Sequence, residues 1–144
     1  MELFINGLAA IASPETLALM ILGTIVGIIF GSVPGLTAVT GIALFLPVTY
    51  SLGPIKGMAL LIAIYIGAVS GGLIAAILIN IPGTPASVAT CFDGSPLAKK
   101  GQAYKALGVG TVFSFLGTIF GILVLVFVSP IIAEFALKFG PAEY

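Results

Sequence analysis

The sequence predicts an all-α, polytopic membrane protein whose helices are discontinuous or re-entrant. Composition is the first observation behind this: of 144 residues, 60% are hydrophobic and 7% are charged, against roughly 25% charged in an ordinary soluble domain. The second is where the charges fall. None lies between Glu15 and Lys56, between Lys56 and Asp93, or between Lys105 and Glu134. The third is that two of these neutral tracts are broken in their apolar interior by Pro-Gly, in "GSVPGLT" and "NIPGTPASVAT".

The same composition excludes several functions. A formal net charge of zero with no arginine argues against nucleic acid, because neutralising phosphates needs clustered cations. There is no histidine, and the single Cys91 has no partner for a disulfide or a metal site, so no cofactor is expected. Cys91 reads as a small packing residue. No general acid–base pair, nucleophile–base set or phosphate loop is present, which argues against an enzyme. The N-terminus lacks the positive region of a secretory signal, so the first apolar tract is expected to remain in the mature chain.

Taken in order, Ser13-Pro14-Glu15 is a helix start: a cap, a proline in the first turn and an acid at the positive end of the dipole. The helix is expected from Pro14 to Phe30, and a second apolar piece from Ala38 to Val48. Together they are too long for one perpendicular crossing, which predicts a broken or re-entrant pair. A third helix, Gly57 to Ile79, is long enough to span. Ser95 and Pro96 look like the start of a fourth, whose apolar part runs from Ala106 to Val128, with Ser129-Pro130 bending or ending it. Beyond lies a short amphipathic piece with Glu134 and Lys138 at i, i+4 spacing. Lys99, Lys100 and Lys105 favour a cytoplasmic location for the segment that carries them. Tyr50, Phe92 and Tyr104 read as interfacial anchors. Glycines four apart (Gly23, Gly27, Gly31, Gly35; Gly67, Gly71; Gly117, Gly121) form the small-xxx-small pattern of close helix packing.

The two breaks resemble each other. "SVPGLTAVT" and "NIPGTPASVAT" both carry a small polar residue, a β-branched aliphatic, Pro-Gly, and then alanine and valine among hydroxyl residues. Non-helical backbone survives at membrane depth only when buried in protein or lining a wet cavity. Paired Gly/Pro interruptions are therefore the sequence pointer to a transporter's binding site, where half-helix ends meet an anion and its coupling ion. A plain kink is the simpler alternative for either break. Asp93 is the one acid beside the second break. As an intramembrane carboxylate it would be functional, and as part of Asp93-Gly94 it would be a water-exposed turn.

"GSVPGLT", "IPGTPASVATCFDGSPLAKKGQ" and the terminal "FGPAEY" closely resemble the large permease subunit of the tripartite tricarboxylate transporters, the TctA-type family. The resemblance runs through the whole chain. It implies a bacterial inner-membrane permease that imports carboxylates such as tricarboxylates on an ion gradient, Na+ or H+. Its implied partners are a small four-helix membrane subunit and a periplasmic solute-binding protein. The family's motifs fall on Gly31, Pro34, Gly35 and Thr37, and on Pro82, Gly83, Thr84, Pro85, Ser87, Thr90 and Asp93. With Asn80 these form the expected substrate and coupling-ion site. Family permeases are several times longer, so residues 1–144 are expected to be an N-terminal portion of the permease domain, stopping within "FGPAEY". A channel, or a membrane fragment whose breaks close around nothing, fits the same residues.

Overall fold

A computed structural model describes residues 2–136, and every described element is helical. The order is α1 (Glu2–Ile11), α2 (Pro14–Ser32), α3 (Ala38–Leu52) and α4 (Pro54–Ile79). A 3-10 turn (Pro85–Ser87), α5 (Val88–Leu97), a π turn (Ala98–Gln102) and α6 (Ala103–Ala136) follow. Pro14–Ser32, Pro54–Ile79 and the stretch from Pro85 to Pro130 are long and apolar enough to cross a membrane. The chain divides into two compact units at Leu107/Gly108.

In the first unit α2 and α4 run parallel, backbone against backbone. Gly23 meets Leu60 and Ala63, Gly27 meets Ile64 and Ala68, Gly31 meets Ala68, and Gly67 and Gly71 meet Thr24 and Ile28. A methyl group on Gly27, Gly31, Gly67 or Gly71 would overlap a carbonyl oxygen of the other helix. The buried apolar residues accordingly include seven alanines with Leu60, Ile64 and Ile77, while large side chains such as Ile21, Leu44, Ile62 and Phe92 point outward. Association in lipid gains little from burying more hydrocarbon and depends on close packing of small residues.

α3 runs back along α4, because Gly41 packs on Ile64 and Gly57 on Thr49. The pair α2–α3 therefore begins and ends at the same end of α4, where Lys56 Nζ pairs with Glu15 Oε2. The expected pair is thus broken between α2 and α3, and its second half doubles back along α4. Ser13 caps α2 as expected: its Oγ accepts from Thr16 N at 3.4 Å. Thr16, fully buried, donates to the Ala10 carbonyl at 3.0 Å and so ties α1 to the start of α2. The charge and apolarity of the N-terminus gave no expectation of α1.

Two local expectations are corrected. Ser95 and Pro96 do not start a helix; both lie inside α5, and Ser95 is 3% exposed. The helix begins earlier, behind the turn at Thr84–Ser87. The amide missing at Pro96 leaves unpaired only the carbonyl of Phe92, an exposed residue. The interruption comes instead at Gly101, whose φ of 77° ends the π turn. Asp93 and Gly94 likewise lie within α5 and form no turn; Asp93 is exposed, and Gly94 is buried against Ile77.

The second unit, described to Ala136, is the remainder of α6, which continues through Pro130 without ending there. Gly117 and Gly121 meet no neighbour within 4 Å among the described residues, and neither does Gly35, unlike Gly23, Gly27, Gly31, Gly67 and Gly71. The Glu134–Lys138 spacing reaches outside the described residues.

Glycine contact between α2 and α4 has a direct consequence. Gly27→Val and Gly31→Val in the 144-residue chain should each cost about 1–3 kcal/mol through overpacking. Thermal unfolding in micelles should drop clearly for both and stay near wild type for Gly117→Val.

Candidate functional site

Both breaks are built by the same device. A helix ends because a proline stands four residues after one of its last carbonyls: Pro34 after Phe30, and Pro82 after Leu78. Proline has no amide to give, so neither carbonyl receives its helical bond. At the first break Val33 N still reaches Ile29 O at 3.3 Å, and Gly35 then takes a φ of 94°, which favours glycine. At the second, Asn80 takes the left-handed conformation (φ 57°), which asparagine tolerates better than most residues.

Each break ends in a threonine-capped helix. Thr40 N donates to Thr37 Oγ1 at 3.4 Å and Thr37 N to Thr40 Oγ1 at 3.5 Å, which closes the start of α3. Thr84 N donates to Ser87 Oγ at 3.2 Å, Thr84 Oγ1 donates to it at 3.4 Å, and Ser87 Oγ donates to the Thr84 carbonyl at 2.8 Å. This is a reciprocal capping box with threonine or serine in place of the usual glutamate. Among the recorded bonds of the described residues, the amides of Ala38, Val39 and Ala86 have no acceptor, as helix geometry requires of first-turn amides.

The structure brings the breaks together. After Asn80 the chain doubles back: Gly83 packs on the Gly31 carbonyl and on Gly72, and Thr84 packs on Gly72. A methyl group on Gly72 would lie 2.8 Å from Thr84 Oγ1, and one on Gly83 would lie 2.9 Å from Gly72 Cα. α5 then advances toward the C-terminal end of α4, where Gly94 meets Ile77. α3 leaves the junction in the opposite direction. The junction is level with Gly72, seven residues before Ile79, or about 10 Å of helix. If α4 fills a hydrocarbon core of about 30 Å, that depth lies inside it.

The residues singled out in the sequence separate into two groups. Gly31, Gly83, Thr84 and Ser87 are buried at the junction. Pro34, Gly35, Asn80, Pro82 and Pro85 are exposed, and Thr37 and Thr90 are half-buried. Asp93 stands apart on the exposed face of α5, and Cys91 donates weakly to the Ser87 carbonyl at 3.8 Å. Sequence reasoning missed Ser32, whose Oγ reaches the Gly71 carbonyl at 3.4 Å, as well as Gly72 and Thr40. Thr40 was legible, since it stands three residues after a cap. Gly72 carried no signal until its neighbour Thr84 was in place. A cavity of about 670 Å³ opens at the other end, beside Glu15 and Lys56, and none of these residues lines it. No cluster of metal-ligating side chains occurs among the described residues.

Three helices long and apolar enough to cross a membrane, two of them followed by Pro-Gly breaks that meet at Gly31 and Gly83, define a multi-pass membrane protein. The family model "Tripartite tricarboxylate transporter TctA family" matches residues 17–144, and the chain belongs to that family. A relative from Agrobacterium vitis, described as "Uncharacterized 52.8 kDa protein in TAR-I ttuC' 3'region", is 36% identical over 138 residues. The match covers 96% of this chain and 28% of the relative. No solved structure matches.

The cap makes a specific prediction. Ser87→Ala removes the acceptor of the Thr84 amide, at a cost of about 1 kcal/mol. Hydrogen exchange at that amide, followed by NMR in micelles, should quicken about fivefold, and Ser87→Thr should restore it. An unchanged rate in Ser87→Ala would mean that the bond does not hold the turn.

Proposed function

We propose that the chain supplies half of a carboxylate-binding site in the permease subunit of a binding-protein-dependent secondary transporter. One observation carries the reading. Two helix starts, α3 and the helical run 85–97, begin at the Gly31–Gly83 junction and leave it in opposite directions along α4. Each turns the positive end of its dipole and unshared amides toward the junction, an arrangement suited to an anion. Thr37 and Thr90, on the two helical runs that begin there, and Asn80, in the link between α4 and the junction, are the hydroxyl and amide groups this reading assigns to the ligand. Carbonyls left without donors by Pro34 and Pro82 suit a small coupling cation.

Membership of a tripartite family supports the rest of the assignment. The partners would be the small four-helix membrane subunit and a periplasmic solute-binding protein, the location the bacterial inner membrane, and the energy source a gradient of Na+ or H+. The activity is transport, without an enzymatic step. Because the chain spans 28% of the length of its curated relative, the complete permease would add the facing part of the site.

In a full-length permease carrying these residues, Thr37→Val and Ser87→Ala should weaken carboxylate uptake more than Ser114→Ala, with expression matched. Ser114 is exposed within α6, far along the chain from either break. Losing a hydrogen bond to a charged group costs about 1.5–3 kcal/mol, so roughly tenfold or more in apparent affinity is expected. Equal and small effects at all three positions would reduce the breaks to devices of chain shape.

A further inference from the structure

The transport reading leaves the elbow between α5 and α6 without a task. Its π turn and the left-handed Gly101 carry Lys99 and Lys100, both exposed, and Lys105 follows in the first turn of α6. Asp93 is the only acid between residues 92 and 105. None of the three lysines forms a salt bridge among the described residues; the one recorded pair, Lys56–Glu15, lies elsewhere. Two exposed aromatic side chains share the segment, Phe92 at 75% and Tyr104 at 70% exposure, and Lys105 Nζ stands 6.0 Å from the Tyr104 ring centroid.

Position in the fold gives this patch its meaning. Lys56 and Glu15 neutralise each other at the N-terminal end of α4. α5 advances past Ile77 toward the other end, so the elbow belongs to the opposite end of the bundle. α4 has 26 residues, about 39 Å of helix, which more than spans a hydrocarbon core of about 30 Å. Among the described residues, then, the charges at one end are paired with each other, and the other end carries three lysines without a salt bridge, beside exposed rings. Aromatic rings settle at the headgroup level, and the cytoplasmic leaflet is the anionic one.

We propose that the elbow, Phe92 to Lys105, is a docking surface for anionic phospholipid headgroups, and that it fixes the C-terminal end of α4 at the cytoplasmic leaflet. The long lysine stems lie along the apolar boundary while their ammonium groups reach phosphate. Gly101 turns the chain at headgroup depth, where water and phosphate satisfy the backbone groups that the π turn leaves open. Each lysine strengthens the hold on an anionic surface by about fivefold.

The sequence contains no tryptophan, so Phe92→Trp installs a single fluorescent reporter at an exposed aromatic position. The 144-residue Phe92→Trp chain would be reconstituted in mixed vesicles of phosphatidylcholine and phosphatidylglycerol, with one or the other lipid brominated. Brominated phosphatidylglycerol should quench several-fold more strongly at equal mole fraction. That preference should vanish in the Lys99→Gln, Lys100→Gln, Lys105→Gln variant and fade in high salt. Tyr104→Trp serves as a second reporter should Phe92→Trp fold poorly. Equal quenching by the two lipids, or a preference that survives loss of the lysines, overturns the proposal. Orientation is read separately with Gln102→Cys in a Cys91→Ser background. Labelling by an impermeant maleimide only after the inner membrane is opened supports it. Labelling from the periplasmic side overturns it and points to an acidic protein partner instead.

Discussion

The close approach of α2 and α4 is the constraint from which the rest of the structure follows. Two apolar helices in lipid have no hydrophobic reason to associate, since lipid tails are as apolar as leucine. What holds them is contact between backbones, which requires that the facing positions carry no side chain. Gly23, Gly27 and Gly31 on one helix and Gly67 and Gly71 on the other meet that requirement turn after turn. Because the helices are parallel, the last contact of this row falls at the C-terminal turn of α2. The row therefore delivers the first break to a fixed height on α4.

From that height the second break is determined as well. The chain leaving α4 folds back until Gly83 meets the Gly31 carbonyl, and it can come so close only because Gly31, Gly72 and Gly83 all lack side chains. Backbone groups that would be costly in lipid are then covered by protein or satisfied locally, by Thr37 with Thr40 and by Thr84 with Ser87. The hydroxyl residues near the breaks thus have a structural duty before any ligand is considered. Ser87 in particular spends its hydroxyl on Thr84, so a substitution there changes the shape of the turn together with any contact to substrate. Asn80, exposed and with no recorded side-chain hydrogen bond among the described residues, has more freedom to meet a ligand.

Much of this was legible in the sequence, for physical reasons. Neutral tracts and Pro-Gly interruptions announce spanning helices and their breaks, because charge and proline are costly in a lipid-embedded helix. The paired breaks and the glycine row were readable for the same reason. What failed were boundaries that depend on neighbours. Ser95-Pro96 has the composition of a helix start, yet the turn at Thr84–Ser87 had already begun the helix, and Gly94 is packed against Ile77. Of the two readings of Pro130, a bend or an end, the end does not occur, because a single proline removes one bond from a helix that is otherwise continuous. Contact between the breaks was beyond reach from sequence, since it depends on the parallel register of α2 and α4, which periodicity alone does not set.

The central claim is that the two Pro-Gly breaks touch, with Gly83 seated on the Gly31 carbonyl. Solid-state NMR of the chain in bilayers tests this most directly, with carbon-13 placed at the Gly31 carbonyl and the Gly83 α-carbon only. A direct carbon–carbon cross peak between the two is the predicted result. Its absence, in a sample where a Gly31–Ala68 control pair is seen, would show that the breaks stand apart and would contradict the account.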